Sequence, residues 1–145
     1  MPDRKTVLQL LMRAQRHRGF LHMWWSDNPK RDWKKVEPYI VAAAQRLKQG
    51  FSGSDILEMI LEKDVHLIVG EKSAMVVEGI QTPRLRILHI WLAGVDLNEL
   101  TAAEKQFSSE WKKIGFDRIS ITGRSGWKRV LPSYEETAIL LSKEL

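Results

Sequence analysis

Apolar residues recur at three- and four-residue intervals in some stretches and run without interruption in others, and this change of period lays out the chain. Over residues 6–17, Val7, Leu8, Leu10, Leu11, Met12 and Ala14 follow helical spacing with Arg13 and Arg16 among them, which predicts a short amphipathic helix. Gly19 breaks it. Residues 20–30 form an aromatic stretch (Phe20, Leu21, His22, Met23, Trp24, Trp25) that closes on the turn signal Asp27-Asn28-Pro29. Adjacent tryptophans on a regular element cannot share one face, so Trp24 and Trp25 are expected to meet different surfaces. Residues 33–49 read as a helix with Val36, Ile40, Ala43, Ala44 and Leu47 as its stripe, Asp32 as its cap, Pro38 near the first turn and Gly50 as its stop. Ser52-Gly53-Ser54 opens the next helix, which buries Ile56, Leu57, Ile60 and Leu61 and ends at Lys63.

The pattern then changes to strands. Residues 65–69 and 74–80 are short apolar runs joined at Glu71-Lys72, which predicts a hairpin. After Thr82-Pro83-Arg84, residues 85–93 (LRILHIWLA) are the longest apolar run and read as a central strand buried on both faces. Residues 96–114 are a helix with Asp96 as cap, Glu99 three positions on as a capping box, and Gly115 as the stop. Leu97, Leu100, Ala103, Phe107, Trp111 and Ile114 form its core face. Residues 118–122 (RISIT) predict a strand, 123–131 a short turn or helix around Trp127, and 136–143 (ETAILLSK) a last strand after Pro132. There is no internal repeat.

Composition narrows the picture. A chain of 145 residues with 43% apolar content fills one core. Cysteine is absent, which removes disulfides and thiolate metal sites, and the four histidines, His17, His22, His66 and His89, have no metal-binding spacing. No signal-peptide pattern opens the chain and no stretch approaches the roughly 20 apolar residues of a membrane span, so an intracellular location is expected. The net charge of +5 sits in residues 1–35, where nine Lys/Arg face only Asp3, Asp27 and Asp32. Two units follow: a basic, aromatic-rich arm over 1–35 and an α/β domain over 36–145. Arg13, Arg16, Arg18, Lys30 and Arg31, with Trp24, Trp25 and Trp33, have the composition of interface anchors for an acidic or protein partner. A basic arm of this kind also suits non-specific contact with nucleic-acid phosphates, and a solvated helix face has the same composition.

The succession helix, helix, three antiparallel strands, long helix, strand, short helix, strand resembles the GNAT acyltransferase fold over roughly residues 54–145. In that resemblance 85–93 is the fourth strand and 96–114 the cofactor helix. It implies a mixed, mainly antiparallel sheet flanked by helices, here with a helical N-terminal extension. The pieces LHIWLAG (88–94), ITGRSGWKRVL (121–131) and SKEL (142–145) resemble a family of small proteins encoded by tailed bacteriophages and prophages. That second resemblance implies a context, a virion or assembly component in the bacterial host cytoplasm or packaged in the particle, and no activity.

GNAT enzymes hold the acetyl-CoA diphosphate on a loop of the type Arg/Gln-x-x-Gly-x-Gly/Ala at the start of that helix, where glycines let backbone amides approach the phosphates. The corresponding residues 92–99 contain Gly94 alone, no basic residue, and two carboxylates, Asp96 and Glu99. A like charge at about 4 Å costs roughly 4 kcal/mol at an effective dielectric near 20. The family's chemistry leaves Tyr134 as a candidate acid and Glu78 or His89 as candidate bases, each with an ordinary structural role as the competing explanation. Gly123-Arg124-Ser125-Gly126 lacks the lysine and length of a phosphate loop and reads as a tight turn that folds Trp127 onto the sheet. The expectation is a non-catalytic GNAT-like protein, without cofactor or metal, that docks on a protein partner through its arm. An N-acetyltransferase with a divergent acetyl-CoA site and a nucleic-acid-associated protein are the alternatives.

Overall fold

The computed structural model describes residues 7, 9–13, 23–94, 96–123 and 126–145, the side chain of Leu97 excepted. Five strands form one sheet in the order β1-β2-β3-β4-β5. They are β1 (Met23–Trp25), β2 (His66–Gly70), β3 (Ala74–Gln81), β4 (Arg86–Gly94) and β5 (Arg118–Ile121). The first four pair antiparallel, and β5 lies parallel to β4 because the helix α4 (Leu97–Ile114) carries the chain back across the sheet.

Helices cover both faces. On one, Leu100, Ala103, Phe107 and Trp111 of α4 pack with Ile68, Met75, Val77, Leu88 and Ile90. Phe107 stacks on Trp111 at 4.6 Å between ring centres, and Trp111 meets Trp25 at 6.5 Å, contacts that add to the burial of these rings. The N-terminal helix α1, described at residues 7 and 9–13, joins this layer through Val7, Leu10 and Leu11. A Cβ on Gly79 of β3 would lie 2.2 Å from Val7 and 2.9 Å from Leu11, so glycine there is what lets α1 seat on the strand. On the other face α2 (Pro29–Leu47) and α3 (Gly53–Leu61) bury Trp33, Val36, Ile40, Ile56 and Ile60 against Leu67, Val69, Val76 and Leu92. The short helix α5 (Trp127–Val130) follows β5.

Several boundaries differ from the sequence reading. Helix α2 starts at Pro29, with Asn28 as its cap accepting from the Arg31 amide at 3.2 Å. The Asn-Pro pair that reads as a turn is a cap followed by a proline at the first helical position, where no amide proton is needed. Asp32 is therefore inside the first turn, buried, and accepts from Ser26 Oγ at 2.6 Å and Arg31 Nε at 3.1 Å, while Pro38 falls in the helix interior. At α4, Asp96 accepts from the amides of Asn98 (3.0 Å) and Glu99 (3.1 Å). Glu99 does not return the bond to its own cap; it accepts from the Lys72 amide in the β2–β3 turn at 3.1 Å.

Two larger expectations also change. The described part of residues 1–35 is not a separate arm: α1 lies in the core, Met23–Trp25 is the first strand of the sheet, and Pro29 opens α2. Alternation along β1 buries Met23 and Trp25 and turns Trp24 outward. Residues 136–143 form no strand. Their apolar run suits one, but a strand needs a neighbour, and the segment makes no ladder with β5.

Candidate functional site

Strand β4 contains one residue more than β3 can pair. Val76 stands opposite Leu92 and Val77 opposite Ile90, which leaves Trp91 as the extra residue of a bulge. Its side chain goes to the α2/α3 face, where Nε1 donates to Gln49 Oε1 at 3.1 Å and the ring meets Phe51 edge-on at 4.9 Å. The bulge sits where β4 leaves β5: the ladder runs from Ile87 opposite Arg118 to Ile90 opposite Ile121, and ends with the Thr122 amide donating to Ile90 at 3.0 Å. Beyond that point β4 continues to Gly94 while the β5 chain turns at Gly123 under the ring of Trp127. The other end of the seam is clamped by Asp117, which accepts from the Arg86 amide at 2.8 Å and from its guanidinium at 3.2 Å.

On the same face, next to the bulge, Glu78 of β3 stands directly opposite His89 of β4. Both are half-buried, and burial acts on them in opposite senses: it raises the Glu78 carboxyl above its ordinary value and lowers the His89 imidazole. His89 Nδ1 lies 2.6 Å from Ser120 Oγ and Nε2 lies 2.9 Å from Thr122 Oγ1. A neutral ring carries one proton, so one hydroxyl accepts from it and the other donates to it. Gln49, Phe51, Met59, Glu78 and Trp91 enclose a shallow pocket of about 380 Å³ beside this pair. The arrangement places a carboxyl that holds its proton more tightly than usual in the wall of an aromatic pocket, with a neutral imidazole opposite it on the next strand, which suits proton transfer at Glu78 to or from a bound amine or hydroxyl.

Of the three candidates from the sequence, Glu78 and His89 stand opposite each other in the sheet and Tyr134 belongs to another layer. Tyr134 packs on the α4 face of the sheet, where burial, and then the negative Glu104, push its phenol well above the usual range. Tyr134 and His89 both border the large cavity between β5, α4 and the C-terminal segment, and Glu78 does not. Sequence reasoning missed Ser120, Thr122, Gln49 and Phe51. Only the period of two along β4 and β5 would have put His89, Ser120 and Thr122 on one face, and only if the parallel pairing were known.

The eight proposed partner contacts separate. Trp25 and Trp33 are buried in opposite layers of the domain, so they are not anchors on one surface. Arg31 is engaged by Asp27 at 2.9 Å and Asp32 at 3.1 Å. Arg13, Trp24 and Lys30 are exposed, and Arg16 and Arg18 lie outside the described residues. So do Arg124 and Ser125 of the glycine-rich turn.

The residues at the start of α4 do not fit the acetyl-CoA diphosphate. Asp96 occupies the first free amides of the helix, Glu99 stands beside it, and the single glycine of the stretch has another task. A Cβ on Gly94 would lie 2.5 Å from Tyr39 Cβ and 2.9 Å from the Tyr39 carbonyl oxygen, so Gly94 admits α2 and not a phosphate. Among the described residues no group of three His, Asp or Glu could hold a metal ion, and no helix is long and apolar enough to cross a membrane.

No family model matches the chain, and no curated protein matches it in sequence. Solved structures do match in fold. A probable acetyltransferase superposes with a TM-score of 0.61 at 7% identity, over 86% of this chain and 100% of that one. An aminoglycoside acetyltransferase from an uncultured soil metagenomic sample, in complex with sisomicin, gives 0.56 at 11% identity over 87% and 97%. A ribosomal-protein-alanine N-acetyltransferase from Brucella melitensis biovar Abortus 2308 gives 0.56 at 10% identity over 86% and 99%. Identities this low show the fold alone: a mixed, mostly antiparallel α/β architecture of the GNAT acetyltransferase type.

Proposed function

We propose that this chain is a GNAT-type N-acyltransferase whose donor site has diverged, so that an acyl thioester is held along the parting of β4 and β5 and not by its diphosphate. The observation that carries the reading is the bulge at Trp91, at the point where β4 leaves β5, with Glu78 and His89 next to it. The acceptor lies in the pocket walled by Phe51 and Trp91, and Glu78 takes the proton that an acceptor amine must lose. His89, fixed at both nitrogens and opposite Glu78, stays neutral. That the solved structures with this fold are acetyltransferases supports the same reading.

The test compares acetyl-CoA with S-acetylpantetheine, which lacks the nucleotide and diphosphate. Both stabilise the protein alike, by about 3–5 °C at ten times the dissociation constant, since ligand bound only to the folded state adds RT ln(1 + [L]/Kd). No shift with either at millimolar concentration overturns the proposal. That result favours a second reading, a non-catalytic GNAT-like component of a phage particle that docks on another protein. The occupied N-terminus of α4 is the observation on its side, together with the resemblance of 88–94 and 121–131 to phage-encoded proteins.

A further inference from the structure

Positive charge is concentrated on one helix face. Along α2 and its C-cap, Lys30, Arg31, Lys34, Lys35, Arg46 and Lys48 are exposed, with Glu37 as the one exposed carboxylate among them. The other long helix is balanced: on α4, Lys105, Lys112 and Lys113 stand among Glu99, Glu104 and Glu110. The neighbouring α3 and its C-cap expose Asp55, Glu58 and Glu62 and no cation, so a polyanion is attracted to α2 and repelled from the helix beside it.

The cations on α2 oppose the helix that carries them. Lys30 and Arg31 stand in the first turn, at the positive end of the helix dipole, and Lys30–Lys34 and Arg31–Lys35 are like charges four residues apart. Asp27 and Asp32 relieve Arg31 at 2.9 and 3.1 Å. Lys30, Lys34, Arg46 and Lys48 have no ion pair among the described residues. A helix that breaks two local rules without internal relief points to a partner outside the chain.

The exposed aromatic rings gather on the same side of the sheet. Trp24 pairs with Val69, a residue of the α2/α3 layer, so its ring lies on that side, 39% exposed. Tyr39 is 49% exposed and shares one stripe of α2 with Arg31, Lys35 and Arg46, a row about 22 Å long at 1.5 Å per residue. Phe51 follows α2, and among the described residues no other aromatic ring is exposed. Cations alone suit any polyanion. A duplex hides its base faces in the stack and a lipid surface has none, whereas rings set among cations match a strand whose phosphates meet the lysines and whose unpaired bases stack on Trp24 and Tyr39.

We infer that the outer face of α2, with Trp24 and Tyr39, binds single-stranded nucleic acid without sequence preference. The reading is independent of the acyltransferase proposal, since it is tested without an acyl donor. The test follows the fluorescence anisotropy of a labelled oligothymidylate of about 20 nucleotides on titration with the full chain, at salt from about 50 to 200 mM. The logarithm of the binding constant is expected to fall against that of salt with a slope of roughly −3, for about four phosphate contacts. Lys30→Gln/Lys34→Gln/Lys35→Gln should weaken binding at least about tenfold at low salt and flatten the slope to about −1. Its thermal midpoint should hold or rise, because the removed charges oppose the helix. Lys105→Gln/Lys112→Gln/Lys113→Gln, with the same change in net charge, should stay within about twofold of the parent. Trp24→Ala should weaken binding about tenfold at unchanged slope, and Trp24→Phe should restore most of it. Equal loss in the two triple variants overturns the inference, since bulk charge then suffices. So does a duplex of the same length bound as tightly as the single strand, binding indifferent to Trp24→Ala, or no binding at low salt, including the case in which phosphatidylserine vesicles bind instead.

Discussion

His89 is held at both ring nitrogens by hydroxyls of β5 and the residue that follows it, with Ser120 Oγ 2.6 Å from Nδ1 and Thr122 Oγ1 2.9 Å from Nε2. The ring therefore spans the parallel seam of the sheet, next to the bulge, and neither nitrogen is left for a proton from solvent. Burial lowers its basicity below the ordinary 6.5. Nitrogen-correlated NMR of the imidazole is expected to show one tautomer with a titration midpoint below that value. Ser120→Ala and Thr122→Val should each cost about 1 kcal/mol of stability, and less than additively in combination because both bonds serve one ring.

His66 gives the larger pH effect. Burial first, and the charge of Lys63 second, lower it from 6.5 to about 4. Between these values the unfolded chain binds a proton that the folded chain refuses, so stability is full above pH 6.5 and falls as pH drops towards 4. The loss is about 3 kcal/mol at most, since one unit corresponds to about 1.4 kcal/mol. Urea titrations at pH 7 and pH 4.5 measure it, and His66→Gln should remove most of the difference.

Gly79→Ala tests whether α1 belongs to the domain. The new methyl group would stand 2.2 Å from Val7 and 2.9 Å from Leu11, so either the helix shifts or the strand does. A loss of about 1–3 kcal/mol is expected, the usual cost of overpacking. Deleting residues 1–13 should expose the same apolar surface and raise binding of a hydrophobic dye. An unchanged midpoint in both variants would detach α1 from the core.

The start of α4 offers a test by gain. Asp96→Asn keeps a capping side chain and Glu99→Gln keeps an acceptor for Lys72, while both remove negative charge from the helix N-terminus. The double variant should change stability by less than about 1 kcal/mol and tighten acetyl-CoA binding about fivefold, with S-acetylpantetheine unaffected. Equal improvement for both ligands would place the thioester elsewhere.

Local grammar made much of the fold legible. The helix opening at Ser52-Gly53-Ser54, the Asp96 cap and the uninterrupted run of β4 are readable because each depends on residues close in sequence. Of the site, Glu78 and His89 are legible as candidate bases and their surroundings are not, for the same reason. His89 and Ser120 are brought together by a parallel crossover 31 residues long, and the bulge at Trp91 is invisible in a run that is apolar at nearly every position. Residues 136–143 show the converse: their composition states a strand, but a strand forms only where a neighbouring edge pairs with it, and composition does not state that. Charge suggests an arm over 1–35, whereas spacing carries the packing, since Val7, Leu10, Leu11, Trp25 and Trp33 are buried.

The strands lie in the sheet in the order in which they occur in the chain. During synthesis each one meets, as it leaves the ribosome, the edge completed just before it, and only the last must wait for a helix to cross first. Few long loops have to close, which favours rapid folding.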